Sequence, residues 1–166
     1  MAEVLLIERA DLVKFTVVDA NVDTDKFIQF VKIAQDIHIQ GYLGTDLLNK
    51  LKTEITAGTL ADPYLSLLSS YVKPMLIHWS LVEYLPYAAY TVANKGVFKH
   101  TSENSTDVSK AEIDFLVEKQ RITAENYSQR FVDYMSFNQA SFPEYNTNSN
   151  ADMFPDKQAD FGGWYL

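Results

Sequence analysis

The residues best suited to chemistry in this chain are a short acidic run, three histidines and one carboxylate within an apolar stretch. Every second residue from 19 to 25 is an aspartate or an asparagine. The oxygen ligands at the start of a calcium-binding loop have this spacing. The sixth position of the run is Thr24 where such a loop needs glycine, and the twelfth is Phe30 where it needs a bidentate glutamate. The run therefore predicts a solvated turn leading into a helix, with Asp25 near the positive helix end.

The histidines and Glu83 do not form a recognisable metal or catalytic motif. His38 falls near the end of the first predicted helix, His78 inside a long apolar one and His100 in a polar loop, and no two are four residues apart. We expect His78 to be a hydrogen-bonded core residue and Glu83 to pair with an arginine or a tyrosine hydroxyl. Catalysis by Glu83 and His78 is the competing hypothesis.

The sequence also lacks the residues and motifs that several other classes of reaction require. The chain has no cysteine, which excludes thiol catalysis, cysteine-ligated zinc and iron–sulfur clusters. The segment 41–44 is too short for a phosphate-binding loop and lacks its lysine, and no Gly-x-Ser-x-Gly elbow is present. We predict a protein that is not an enzyme and needs no cofactor.

The length and charge of the chain limit the kinds of partner that it can bind. The chain has 166 residues, 47% of them hydrophobic, and a formal net charge of −8. This length suits one domain with its own core. An acidic chain is poorly suited to gripping a phosphate backbone or docking on an anionic membrane. The apolar stretch 75–93 contains His78, Glu83 and Pro86, so it predicts a buried helix rather than a membrane span.

The apolar residues recur at helical spacing through most of the chain, and capping residues mark the ends. Residues 1–23 are mixed and predict a short strand or a docked extended segment around Leu12 and Phe15. Pro74 and Pro86 should kink the long central helix. Helices are predicted from 24 to Gly41 or Gly44, from 45 to 58, over 63–93 and over 109–137, with a loop or small hairpin at 97–108.

These elements predict an all-α bundle over 1–137 with a long kinked central helix, followed by an extended C-terminal arm over 138–166. The arm is rich in Asn, Ser, Asp and Gly and carries only isolated apolar residues. Because large aromatics are uncommon in free tails, we expect the arm to dock on a neighbouring subunit, and the alternative is that it folds back on its own bundle. The predicted assembly contacts are Phe98, His100, Phe142, Tyr145, Phe154, Phe161, Trp164, Tyr165 and Leu166.

Six stretches of the chain resemble the small head–tail connector proteins of tailed phages, most closely those from Bacteroidales and crAss-like phages. The similarity covers most of the chain from about residue 24 onward, and none of the shared motifs is catalytic. The stretches are IAQDIHIQ at 33–40, LGTDLLNKL at 43–51, YVKPML at 71–76, NKGV at 94–97, FPEY at 142–145 and GGWYL at 162–166.

The resemblance implies a virion protein, assembled in the bacterial cytoplasm, whose helical subunits form a ring, usually of twelve. Such a ring docks on the portal protein, extends the DNA channel and contacts the next tail or connector ring protein. The net charge of −8 suits a channel through which double-stranded DNA passes without specific binding. The alternative hypothesis is a small helical adaptor or regulatory domain that binds a cellular partner through its C-terminal tail.

Overall fold

The computed structural model describes residues 3–16, 18, 24–88, 90–93, 96–99 and 109–147. Apart from one two-stranded hairpin, the secondary structure of these residues is helical, so the predicted all-α fold is confirmed. The α-helices are α1 (Arg9–Phe15), α2 (Thr24–Ala34), α3 (Gln40–Leu43), α4 (Thr45–Ala57), α5 (Tyr64–Leu67), α6 (Lys73–Tyr84), α7 (Lys110–Asn138) and α8 (Pro143–Thr147), and the strands are β1 (Tyr90–Ala93) and β2 (Gly96–Lys99).

The N-terminal residues are docked on the bundle, but the strand or extended segment expected around Leu12 and Phe15 is wrong. These residues form α1, because the Glu8 backbone N–H is capped by Asp11 Oδ2 at 3.0 Å and the buried Leu12 anchors the helix. Before α1 the chain is held by the fully buried Gln35. Its Oε1 accepts from the Leu6 N–H at 2.9 Å, and its Nε2 donates to the Val4 carbonyl at 3.0 Å.

The predicted helix boundaries at the glycines and at Ser109 are confirmed. Gly44 separates α3 from α4 with φ of 75°, and Gly58 ends α4 in the left-handed conformation with φ of 66°. Both conformations are unfavourable for residues with a Cβ. Ser109 begins α7 through a capping box with Glu112, whose backbone N–H donates to the serine Oγ at 3.3 Å.

The central helix departs from regular α geometry at the predicted prolines. A π-helical turn over Leu68–Val72 joins α5 to α6, directly before Pro74, and a 3₁₀ turn over Leu85–Tyr87 contains Pro86. Proline has no N–H to donate and its ring crowds the carbonyl four residues earlier, so the helix widens or tightens there. A second π-helical turn, Gln35–Ile39, joins α2 to α3.

The central helix ends earlier than the sequence predicts. Helical structure extends to Tyr87, and residues 90–93, predicted as helix, form β1 instead. This strand pairs antiparallel with β2, with Val92 opposite Val97. Pro86 weakens the helix, and the β-branched Thr91 and Val92 favour an extended backbone. The strand β2 lies where a loop or small hairpin was predicted.

The core lies where α6 packs between α2 and α7. Its side chains are mostly aliphatic and aromatic, and the buried polar residues Gln35, Ser80 and Ser128 each form a hydrogen bond. The buried Trp79 Nε1 donates to Ser128 Oγ at 3.0 Å, and that hydroxyl donates to the Ala124 carbonyl at 3.0 Å. This arrangement removes apolar surface from water without leaving the indole N–H unpaired.

The C-terminal arm does not begin at residue 138 as predicted. Residues up to 147 pack back on the bundle, where Phe142 is 0% and Tyr145 4% exposed. The Phe142 ring lies edge-on to Tyr64 at 5.5 Å between centroids, and the Tyr64 hydroxyl donates to Glu144 Oε2 at 2.6 Å. The polar composition of this segment predicted an arm outside the core, but Phe142 and Tyr145 are part of the core. Residues 148–166 lie outside the described residues.

Candidate functional site

The carboxylate of Glu83 contacts a histidine, but not the one considered in the catalytic hypothesis. His38 Nε2 lies 2.8 Å from Glu83 Oε1, and the imidazole stacks on the Trp79 ring with 3.9 Å between centroids. The π-helical turn that contains His38 brings it beside α6. Glu83 therefore has a polar partner, as expected, but the partner is a histidine rather than an arginine or a tyrosine.

His78 lies on another side of α6, against α7. Its Nδ1 contacts Gln120 Nε2, and its ring stacks on Tyr127 with 5.0 Å between centroids. Burial lowers the pKa of His78 because the charged imidazolium loses its hydration. The predicted hydrogen bond of His78 is confirmed, but the residue is only partly buried and is not part of the core. The contacts of His78 and Glu83 lead to different helices.

Within the described ranges, no three side chains of the types that bind metals cluster together, and the acidic residues 19–23 lie outside these ranges. None of the helices in these ranges has the length and apolar character needed to cross a bilayer.

A cleft of about 500 Å³ opens between α1, the π-helical turn Leu68–Val72, α6 and α7. We call it the Arg130 cleft. Its walls combine aromatic rings with cationic and hydroxyl groups, which suits a ligand that is both apolar and anionic. The lining includes Asp11, Phe15, Ser70, Lys73, Pro74, His78, Tyr127 and Arg130.

The two cations of the cleft differ in their partners. Lys73 Nζ forms a salt bridge of 2.8 Å with Asp11 Oδ2. Burial pushes the pKa of Asp11 up, but hydrogen bonds from Lys73 and from the Glu8 backbone outweigh it and leave the pKa below its usual range. Arg130 instead stacks over Tyr127 and Tyr71, with its Cζ 5.3 and 5.9 Å from the ring centroids. Among the described residues it has no carboxylate partner.

The outer face of α7 carries exposed apolar side chains. Phe115 is 65% exposed, Phe137 is 89% exposed, and Ile122 and the neighbouring Leu116 are about half exposed. At 3.6 residues per turn, positions 115, 122 and 137 share one side of the helix, opposite the side that buries Phe131 and Met135. We call Phe115, Ile122 and Phe137 the outer stripe.

The structure places three of the nine predicted assembly contacts. Phe98 lies in β2, opposite Thr91. Phe142 and Tyr145 are core residues, so the prediction that they contact a neighbour is wrong: their rings fill the space between α5 and α7. The other six, His100, Phe154, Phe161, Trp164, Tyr165 and Leu166, lie outside the described residues.

Sequence reasoning missed the outer stripe, although a signal was present. Phe115 and Ile122 are seven residues apart on the side of α7 that also carries Lys119 and Asn126. Large apolar residues at helical spacing on an otherwise polar face indicate a second contact surface.

Fold and surface together define an all-α protein with an amphipathic cleft and an apolar stripe on its longest helix. The chain belongs to the family of unknown function DUF6712, whose model matches residues 39–155. Comparison with curated proteins and with solved structures gave no match.

Proposed function

We propose that this protein is a non-enzymatic structural subunit of a phage virion, which forms a head–tail connector ring on the portal. The observation that carries the proposal is the outer stripe of α7. Its position opposite the core gives α7 two apolar faces, and a helix that is apolar on opposite faces is typically covered on both. The resemblance described above supplies the kind of assembly.

The stripe fits a contact between subunits better than an ordinary protein surface. Phe115 and Phe137 are 22 residues apart, which is about 33 Å along the helix axis. Single exposed apolar residues are common, but aromatic and aliphatic residues aligned over this length are typical of interaction surfaces. In a ring, each subunit would present this stripe to the next, so α7 would form the wall together with α6.

The remaining parts of the proposal concern partners. The net charge of −8 supports a channel from which DNA phosphates are repelled, so that double-stranded DNA slides through. Loop 97–108 and the residues after 147 would contact the portal and the adjacent tail or connector ring protein.

The test is electron microscopy of the purified protein, alone and with the portal protein. We expect rings that stack on the portal, and we expect the double variant Phe115→Glu with Ile122→Glu to remain folded but monomeric. The matched control is Asn49→Glu with Thr53→Glu, which adds the same charge at two exposed positions of α4 and should leave rings intact.

Two results would overturn the proposal. One is a wild-type protein that stays monomeric and never binds portal. The other is its absence from purified virions, which would favour the adaptor or regulatory domain that binds a cellular partner. A measurable turnover lost in Glu83→Gln, with assembly intact, would instead support an enzyme.

A further inference from the structure

We propose that the Arg130 cleft is the receptor for the acidic and aromatic segment 152–161 of a neighbouring copy of the chain. This inference rests on the proposed ring, because it names the segment that links one subunit to the next. It assigns a ligand to a cleft that neither the fold nor the family explains.

The cleft has an anion-binding group that its own surroundings leave unneutralised. Lys73 is already paired with Asp11, whereas the guanidinium of Arg130 is held over two tyrosine rings and meets no carboxylate among the described residues. Stacking orients the planar guanidinium while leaving its N–H groups free to bind a carboxylate with two parallel hydrogen bonds.

The cleft also has an apolar lining that a single ion would leave uncovered. Phe15 is 55% exposed at its rim, and the rings of Tyr127 and Pro74 form part of its wall. Its volume of about 500 Å³ lies within the range of clefts that take a ligand the size of a few side chains. The occupant should therefore offer both a carboxylate and an aromatic ring.

Segment 152–161 has this chemistry. Its sequence is DMFPDKQADF, with three aspartates and one lysine. Asp160 directly precedes Phe161, and Asp152 lies two residues before Phe154. The carboxylate of such a pair could bind the Arg130 guanidinium while the phenylalanine ring packs on the apolar wall of the cleft. The segment is acidic, whereas Lys73, Arg130 and Asp11 give the cleft a net positive charge.

The position of the cleft favours delivery by a neighbour. Arg130 precedes Phe137 by seven residues of α7, so by helical geometry it lies on the side of the helix that carries the outer stripe proposed to contact the next subunit. Four residues separate Thr147 from Asp152, and thirteen separate it from Phe161. A chain spans at most about 3.3–3.6 Å per residue, so the segment can extend up to about 50 Å from the end of α8.

The absence of cysteine from the chain allows a direct test by disulfide trapping. We would combine Ser70→Cys, in the cleft, with Met153→Cys, in the segment, and oxidise assembled rings. If the segment of one subunit binds the cleft of the next, disulfides will link neighbouring subunits, and a denaturing gel will show a ladder of covalent multimers. The matched control combines Met153→Cys with Thr53→Cys, an exposed site on α4, and should give no ladder.

A charge exchange tests the proposed recognition. Arg130→Glu should reduce the rate of trapping roughly threefold or more, because a carboxylate would then face the acidic segment. Adding Asp152→Lys and Asp160→Lys to Arg130→Glu should restore it. Arg130 is exposed, and a thermal melt of each variant checks that it remains folded.

Each outcome separates this inference from the proposed function. Rings that form without a ladder, or that give only a disulfide within one chain, would overturn the inference and leave the ring intact. Trapping that is unaffected by Arg130→Glu would overturn the recognition proposed here. A failure to form rings would overturn both proposals.

Discussion

The two faces of α7 carry the same residue types with opposite environments. Phe131 on the inner face is 0% exposed and packs against Tyr145, whereas Phe137, six residues later, is 89% exposed. Six residues turn a helix by about 240°, which moves a side chain from the core to the solvent. Apolar side chains on the inner face therefore stabilise the protomer, whereas those on the outer face lie in water and contribute little to its core.

The largest effect should come from removing the inner phenylalanine. Phe131→Ala should lower the free energy of unfolding by about 3–5 kcal/mol, because it removes a fully buried ring and leaves a cavity. Urea denaturation of the monomeric protein measures the change. A loss below about 1 kcal/mol would mean that the inner face is not the core side of α7.

A smaller effect is expected from the polar contact on the same face. Ser128→Ala should lower the free energy of unfolding by about 1–3 kcal/mol, because the buried Trp79 Nε1–H loses its acceptor. Ser136→Ala, an exposed serine on the same helix, is the control and should change little. Equal effects of the two variants would contradict the buried hydrogen bond.

His78 of α6, which contacts Gln120 and Tyr127 of α7, should make stability depend on pH. Its folded pKa is lowered below the ordinary 6.5, so the unfolded chain binds the proton more readily. Stability is therefore full above about pH 6.5 and falls as the pH drops toward the folded pKa. The slope from one proton cannot exceed about 1.4 kcal/mol per pH unit.

Thermal melts between pH 7.5 and pH 5 compare the wild type with His78→Gln, which does not titrate. We expect a shallower decline in the variant. Parallel curves would show that His78 carries a proton equally well in both states.

The smallest effect on folding should come from the outer phenylalanine. Phe137→Ser should change the free energy of unfolding by no more than about 0.5 kcal/mol, since the ring is already in water. Its effect should be visible in assembly, as a lower ring population by light scattering. A clear loss of protomer stability would mean that Phe137 also contributes to the core, which would contradict the proposed difference between the two faces.

Much of the helical framework could be predicted because its signals are local. Ser109, Gly44 and Gly58 end or begin helices through their own hydrogen bonds and backbone preferences, and Pro74 disturbs the helix that contains it. The segment of α1 was misjudged because its few apolar residues fit either an extended or a helical pattern. The strand β1 was missed because it continues an apolar helical stripe.

The candidate sites were less predictable because they depend on contacts between distant residues. Glu83 meets His38 across 45 positions of the sequence, and Tyr64 meets Glu144 across 80. Composition alone suggested that Phe142 and Tyr145 belong to a free arm. They are buried because their rings fill the space between α5 and α7. The local sequence does not show that this space exists.

Periodicity, capping and residue type were enough to predict the all-α class, the main helix boundaries and the lack of thiol chemistry. Tertiary packing separates the apolar residues of the core from those of the outer stripe. It also brought Phe15 of α1, Lys73 of α6 and Arg130 of α7 together around one cleft. The reason is physical: burial and charge pairing depend on which helices pack together, and helices distant in the chain pack according to the shape of the whole bundle.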